Sequence, residues 1–293
     1  MKLFGRRGEE PSLAFGGQAL IEGIMIRSRT CLVMCVRKPD NEILTNAENL
    51  NPLSEKHKVL GVPFLRGIVT LFETFYLGVK GIYFSANAAL GEEEKFTYKE
   101  FAFAMAMAVG LVAFFFVTPL LLVNLFNLTG LALTISEAIV RLAIFLLYLA
   151  LVSMWGEFKR ILQYHGAEHK AINAHEAGVE LNVENVKKYS RLHPRCGTSF
   201  LFIILIVSIV LFTIMPNLGF AVQIAYRVLL IPVIMGISYE LLRLSGRYRN
   251  ARATKILTAP GLLFQRLTTR EPSDDMIEVA VKAVKEIIRM SNY

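Results

Sequence analysis

The chain has 293 residues, of which 54% are hydrophobic and only 19% are charged, with a net charge of +8. Soluble domains carry about 25% charged residues, so this composition excludes a disordered chain, argues against a nucleic-acid module, and points to a polytopic membrane protein with water-facing parts. Cys31, Cys35 and Cys196 cannot close a disulfide framework and fit a reducing compartment, or thiol and metal chemistry.

Residues 1–58 read as a cytosolic β-hairpin region. Residues 20–37 alternate weakly and are rich in Ile, Val, Cys and Met; Lys38-Pro39-Asp40-Asn41 is a turn signal, and Glu42-Ile43-Leu44-Thr45 resumes a strand. Gly16, Gly17 and Gly23 offer points where the backbone can turn or approach another group closely. Residues 59–98 form an amphipathic segment with a long helix over 59–90, in which Arg66, Glu73 and Lys80 recur every seven residues on one polar stripe. We expect this helix to lie in the membrane interface in preference to spanning it.

Residues 101–126 contain no charge and are long enough to cross a hydrocarbon core of ~30 Å. Residues 138–155, with Arg141 near the start and Trp155 at the end, return the chain, so 99–155 holds transmembrane helices 1 and 2. Residues 199–215 and 220–244, joined by the turn signal Pro216-Asn217-Leu218-Gly219, make transmembrane helices 3 and 4, with a kink expected at Pro232. Ionisable Arg141, Arg227 and Glu240 should pair across helices, Glu240 taking one of the two arginines. Of the 32 Lys and Arg, every one except Arg141 and Arg227 lies in residues 1–100, 156–198 or 243–293. By the positive-inside rule these three regions, and both termini, are cytosolic. Residues 1–17 lack the apolar core of a secretory signal, so insertion is expected to use the first span. The tail, residues 245–293, closes with an amphipathic helix over 275–290, capped by Asp275 with Glu278 three residues on, whose stripe of Ile277, Ala280, Val281, Val284 and Ile288 needs a packing partner. The expected fold class is an α-helical membrane protein with about four transmembrane helices plus a small cytosolic α+β part, in which hairpin and tail helix share one layer. No internal repeat is visible, which argues against an inverted-repeat transporter.

The residues that carry chemistry lie in the cytosolic segment 156–198. His165, Glu168 and His169 fall at i, i+3 and i+4 of a helix over 156–178, so both imidazoles leave one face and can converge on one divalent ion. H-x-x-E-H is also the inverzincin pattern, in which the glutamate activates water on the metal. A second cluster, Arg191 to Ser199, sits at the same membrane surface and brings His193 and Cys196 in H-x-x-C spacing. A His165, His169, His193, Cys196 set suits zinc. With all four bound the site is closed and structural; with Cys196 left free it keeps an open position for water. Glu168 is the candidate general base, and Glu176 a candidate ligand or supporting acid. Arg191 and Arg195 can polarise a carbonyl or phosphoryl oxygen, or meet lipid headgroups. His57 and His175 read as surface residues.

The motifs GGQALIEGIMIRS (16–28), VRKPDNEI (36–43), PFLRGIV (63–69), YHGAEHKAIN (164–173), RLHPRCGTSF (191–200), ISYELLR (237–243) and APGLLFQRLTTREPSDDMIEVA (259–280) resemble the YqhQ-like family, bacterial membrane proteins of unknown function expected to be metal-dependent. The resemblance covers nearly the whole chain and implies a multi-pass protein of the bacterial cytoplasmic (inner) membrane. The leading expectation is a zinc-dependent hydrolase at the cytosolic membrane surface, with membrane lipids as neighbours. The alternative is a non-enzymatic scaffold or assembly factor with a structural zinc site, its membrane-protein partners docking on the cytosolic hairpin and tail. A thiol version would use Cys196 as nucleophile and His193 as base.

Overall fold

The computed structural model describes residues 15–90, 97–194, 196–214, 219–247 and 252–291. The chain opens with four strands, β1 (Gly16–Leu20), β2 (Gly23–Arg27), β3 (Cys31–Arg37) and β4 (Ile43–Asn49), paired antiparallel in sequence order. The hairpin read from the sequence is the last one of a larger meander, β3–β4, and the stretch 20–37 is divided between β2 and β3. Its turn is where the pattern placed it, with Asn41 at φ 67° donating from its amide to the Lys38 carbonyl.

Weak alternation along β3 has a structural cause: both faces of the sheet are covered, so both sets of side chains are apolar. Ile24, Ile26, Cys31, Val33 and Cys35 point into one core, and Leu20, Met25, Leu32, Met34 and Val36 into another. A short helix α1 (Leu53–Lys56) and a 3-10 turn (Lys58–Gly61) lead into α2 (Leu65–Leu90), which covers the second face. Small residues let it approach: Gly78 lies on Gln18 and Gly81 on Leu20. The charged stripe on α2 is satisfied residue by residue. Arg66 forms a two-pronged pair with Glu240, Glu73 pairs with Arg27 at 3.3 Å, and Lys80 reaches Glu48 at 2.6 Å.

Next come α3 (Tyr98–Asn124) and α4 (Gly130–Val152), then α5 (Gly156–Glu176), the one-turn α6 (Val183–Val186), α7 (Gly197–Thr213), α8 (Phe220–Arg247), α9 (Arg252–Thr268) and α10 (Asp274–Ser291). The fold is mostly helical with one small antiparallel sheet. Two helical stretches, Gly130–Val152 and Ala221–Leu244, are long and apolar enough to cross a membrane, and Phe200–Thr213 is a shorter apolar helix. Helix α8 runs through Pro232 without interruption. The turn expected at 216–219 falls on residues 216–218, outside the described residues, and Gly219. Helix α9 was not foreseen, and the tail helix begins at Asp274, one residue before the expected cap.

Tail helix and sheet do share one layer. Helix α10 lies with α5 on the first face of the sheet, burying Met276, Ile277, Val279, Ala280, Ala283, Val284 and Ile287. The foreseen stripe holds, widened by its neighbours. Ala167, Ala171 and Ala174 of α5 are fully buried against it, because small side chains allow helix, helix and sheet to pack closely.

The pairing expected inside the apolar helices is corrected. Glu240 is engaged by Arg66 of α2, and Arg141 and Arg227 both bind Glu137 at 2.5 Å, one on each carboxylate oxygen. Glu137 is 1% exposed, and Arg227 also stacks 5.2 Å above the Phe212 ring. Glu137 escaped attention because it lies just outside the segment 138–155 read as the span, whereas α4 begins at Gly130.

Candidate metal centre

Helix α5 starts at Gly156, four residues after the end of α4, and carries His165 and His169 where the chain returns in two loops, with Glu168 turned towards β1. Side chains of α5 hold the first loop by its backbone. Lys170 donates to the Lys187 carbonyl at 3.0 Å, and Asn173 to the carbonyls of Ser190 and Leu192. This delivers Cys196 to the N-cap of α7, where its thiol caps nothing. The second loop, 268–272, crosses over α5 at Gly166, whose missing side chain is required: a Cβ there would overlap the Arg270 carbonyl oxygen.

Three potential ligands converge. The ligand atoms of His165, His169 and Cys196 all lie within 4.8 Å of one another, with His165 Nε2 3.2 Å from Cys196 Sγ. Two donors bound tetrahedrally to zinc at ~2.1 and ~2.3 Å stand roughly 3.5 Å apart, so little movement is needed to close on an ion. Each imidazole is also aimed. His165 Nδ1–H donates to the Thr268 carbonyl at 2.8 Å and His169 Nδ1–H to the Arg191 carbonyl at 2.6 Å. A carbonyl only accepts, so these bonds fix the proton on Nδ1 and leave Nε2 as a lone-pair donor facing the thiol.

Glu168 is 4% exposed, and among the described residues it makes no hydrogen bond. Its carboxylate packs on the Cα of Gly17 in β1, where any side chain would displace it. Burial pushes its pKa up, against the opposing pull of His165 and His193. A carboxyl group in such a place is either protonated or stands beside a cation or a water.

His193 lies near the trio without joining it. Its ring centroid is 5.8 Å from that of His169, its Nε2 is 3.3 Å from Glu176 Oε1, and its backbone is clamped in both directions by buried Gln265. Burial lowers the pKa of His169 and of His193, which keeps both rings neutral, the ligating form. His193 therefore does not stand as base to Cys196, whose histidine neighbours are His165 and His169. Glu176 meets His193 and not one of the three converging ligands. The Arg191 guanidinium donates to the Thr269 carbonyl and lies 3.8 Å from Glu271. Arg195 lies outside the described residues. His57 is exposed as expected, whereas His175 is half-buried against Phe15. Thr268, Gln265 and Gly166 were missed, whereas the close approach expected at Gly17 is made by the Glu168 carboxylate. The only trace in the sequence was Gly166 itself, a glycine between two candidate ligands on a helix.

A family model described as "Protein of unknown function (DUF1385)" matches residues 62–290. The "Uncharacterized protein YqhQ" of Bacillus subtilis (strain 168) is 35% identical over 301 aligned positions, covering 94% of this chain and 93% of that protein. No solved structure matches.

Proposed function

The chain belongs to the YqhQ-like, DUF1385 family of unknown function, and we propose that it is a zinc-dependent hydrolase embedded in the bacterial cytoplasmic membrane, working at the cytosolic surface. The observation that carries this reading is the aiming of the two imidazoles: both Nδ1 atoms are tied to backbone carbonyls while both Nε2 atoms face Cys196. Surface histidines are not held this way, and ligating histidines generally are. Nitrogen and thiolate donors select zinc. His165, His169 and Cys196 would hold the ion, which would supply a Lewis acid and a water of lowered pKa. Glu168, buried next to His169 on α5, would serve as the general base for hydrolysis at a carbonyl or phosphoryl centre.

Four spans, α3, α4, α7 and α8, with both termini cytosolic, fit the distribution of Lys and Arg and the exposed apolar side chains of these helices, among them Phe103, Leu147, Val210 and Leu229. In that arrangement Cys196, at the N-cap of α7, sits at headgroup depth. The bond cleaved then belongs to a lipid or to a membrane peptide close to the surface.

A second reading has its own observation. The ion would tie α5, the 187–196 loop and the 268–272 loop together, and His193 stands near enough to close the site, so a structural zinc in a scaffold protein fits the same framework. Glu168→Gln separates the two. Zinc-loaded wild type and variant in liposomes are incubated with ester, amide and phosphodiester lipids and with membrane peptides, and products are followed by mass spectrometry. The hydrolase reading requires product from wild type, none from the variant, and equal zinc in both; product from neither overturns it for these classes.

A further inference from the structure

Helix α2 has one face that none of the described residues covers. Gly67, Leu77, Gly78, Gly81, Ser85 and Ala86 turn towards the sheet and α8. Leu65, Phe72, Phe75, Tyr76, Tyr83 and Leu90 lie on the opposite side at helical spacing, and Phe72, Phe75 and Tyr76 are 70%, 61% and 66% exposed. The stripe runs the length of a 26-residue helix, about 39 Å at 1.5 Å per residue. Exposed aromatic surface of this extent marks an interaction site.

The geometry points to a lipid leaflet as the occupant: α2 is an in-plane helix that sinks its aromatic stripe about 5–10 Å into the headgroup and acyl boundary of the cytosolic leaflet. The inference rests on the membrane reading above and goes beyond it. Three observations select lipid. First, the start of α2 is fixed at the level of the cytosolic end of α8: Gly67 packs on Tyr239, the Phe64 ring on Gly236, and Arg66 on Glu240, all near the end of the apolar stretch Ala221–Leu244. The stripe thereby begins, at Leu65, beside the end of that stretch. Second, the charged residues flanking the stripe, Arg66, Glu73 and Lys80, are paired within this chain, which removes the charges that would register a second copy or a protein partner. Third, tyrosines among phenylalanines suit a boundary where ring and hydroxyl need different surroundings. A helix so anchored turns the second face of the sheet towards the membrane.

The chain has a single tryptophan, Trp155, which makes the test direct. In a Trp155→Phe background, Phe75→Trp, Tyr76→Trp and Leu229→Trp proteins are reconstituted into phosphatidylcholine and phosphatidylglycerol vesicles whose acyl chains are brominated either near the glycerol or deep. The stripe variants should lose fluorescence, and more to the shallow label than to the deep one; Leu229→Trp, exposed in the middle of α8, should lose more to the deep label. Quenching at Leu229→Trp without quenching at either stripe position overturns the inference about α2 alone, and cross-linking between copies through the stripe would then identify the occupant as a second copy. Absence of quenching at all three positions overturns the membrane reading together with it.

Discussion

Gly166→Ala tests whether the loop over α5 orients the metal ligands. In an unpacked helix this change stabilises by roughly 0.5–1 kcal/mol. Here the new methyl would land on the Arg270 carbonyl oxygen and within 3.5 Å of Pro272 Cδ, and a backbone atom cannot swing away as a side-chain tip does. Overpacking of that kind costs about 1–3 kcal/mol, so the net effect is a loss of up to about 2.5 kcal/mol. The second effect is larger in consequence. Displacing 268–272 pulls the Thr268 carbonyl from His165 Nδ1 and the Thr269 carbonyl from Arg191, whose own carbonyl orients His169. Loss of such supporting bonds weakens metal affinity about 10–100-fold. Zinc affinity is measured by competition with a chromophoric chelator on detergent-purified protein, and stability by thermal unfolding. Gly156→Ala is the control, since nothing lies within 4 Å of a Cβ there. A Gly166→Ala protein that unfolds higher than wild type and holds zinc equally well would refute the role given to the crossing loop.

Glu168→Gln should stabilise the zinc-free protein at pH 7. The folded pKa is raised above the unfolded value, so Glu168 costs stability once the pH exceeds the unfolded pKa of about 4.3, and the gain from Gln should shrink as the pH falls below that value; an unchanged thermal midpoint at pH 7 would contradict the burial of an uncompensated charge. His169 and His193 act in the opposite sense. Their folded pKa values are lowered, so their contribution is present above about pH 6.5 and is lost as the pH falls, and zinc release should occupy the same acidic range; zinc retained well below it would count against imidazole ligation. Glu137→Gln leaves two guanidiniums in an apolar bundle without their shared carboxylate and should cost about 3–5 kcal/mol, read as a lower unfolding midpoint in detergent, with much of the loss recovered when Glu137, Arg141 and Arg227 are all replaced by leucine. Ile277→Ala, at a fully buried position where α10 joins the core on the first face of the sheet, should cost about 2–5 kcal/mol; a loss under half of that would show that α10 docks more loosely than its packing implies.

Periodicity made the long helices and the tail stripe legible, because one face of α2 and one of α10 repeat at the helical period over many turns. The seven-residue recurrence of Arg66, Glu73 and Lys80 located a polar stripe but not its partners, which come from α8, β2 and β4. Strand β3 was harder, since a strand buried on both faces loses the alternation that identifies it. At the site, His165, Glu168 and His169 follow from spacing on one helix, and Cys196 from its position before an apolar run. His193 shows where spacing stops being informative: H-x-x-C brings it near, but the proline-containing turn and the Gln265 clamp direct its Nε2 to Glu176 instead of the trio. The Thr268 and Arg191 carbonyls that aim the imidazoles left no mark at all, because a backbone acceptor is the same in every residue.

The central claim is that His165, His169 and Cys196 hold zinc. Elemental mass spectrometry of detergent-purified protein, prepared without chelator, tests it most directly, with His165→Ala as the variant and His57→Ala, at an exposed histidine away from the site, as the control. The account predicts about one zinc per chain in wild type and in His57→Ala and loss of it in His165→Ala. Wild-type protein without metal, or metal that survives His165→Ala unchanged, would contradict it.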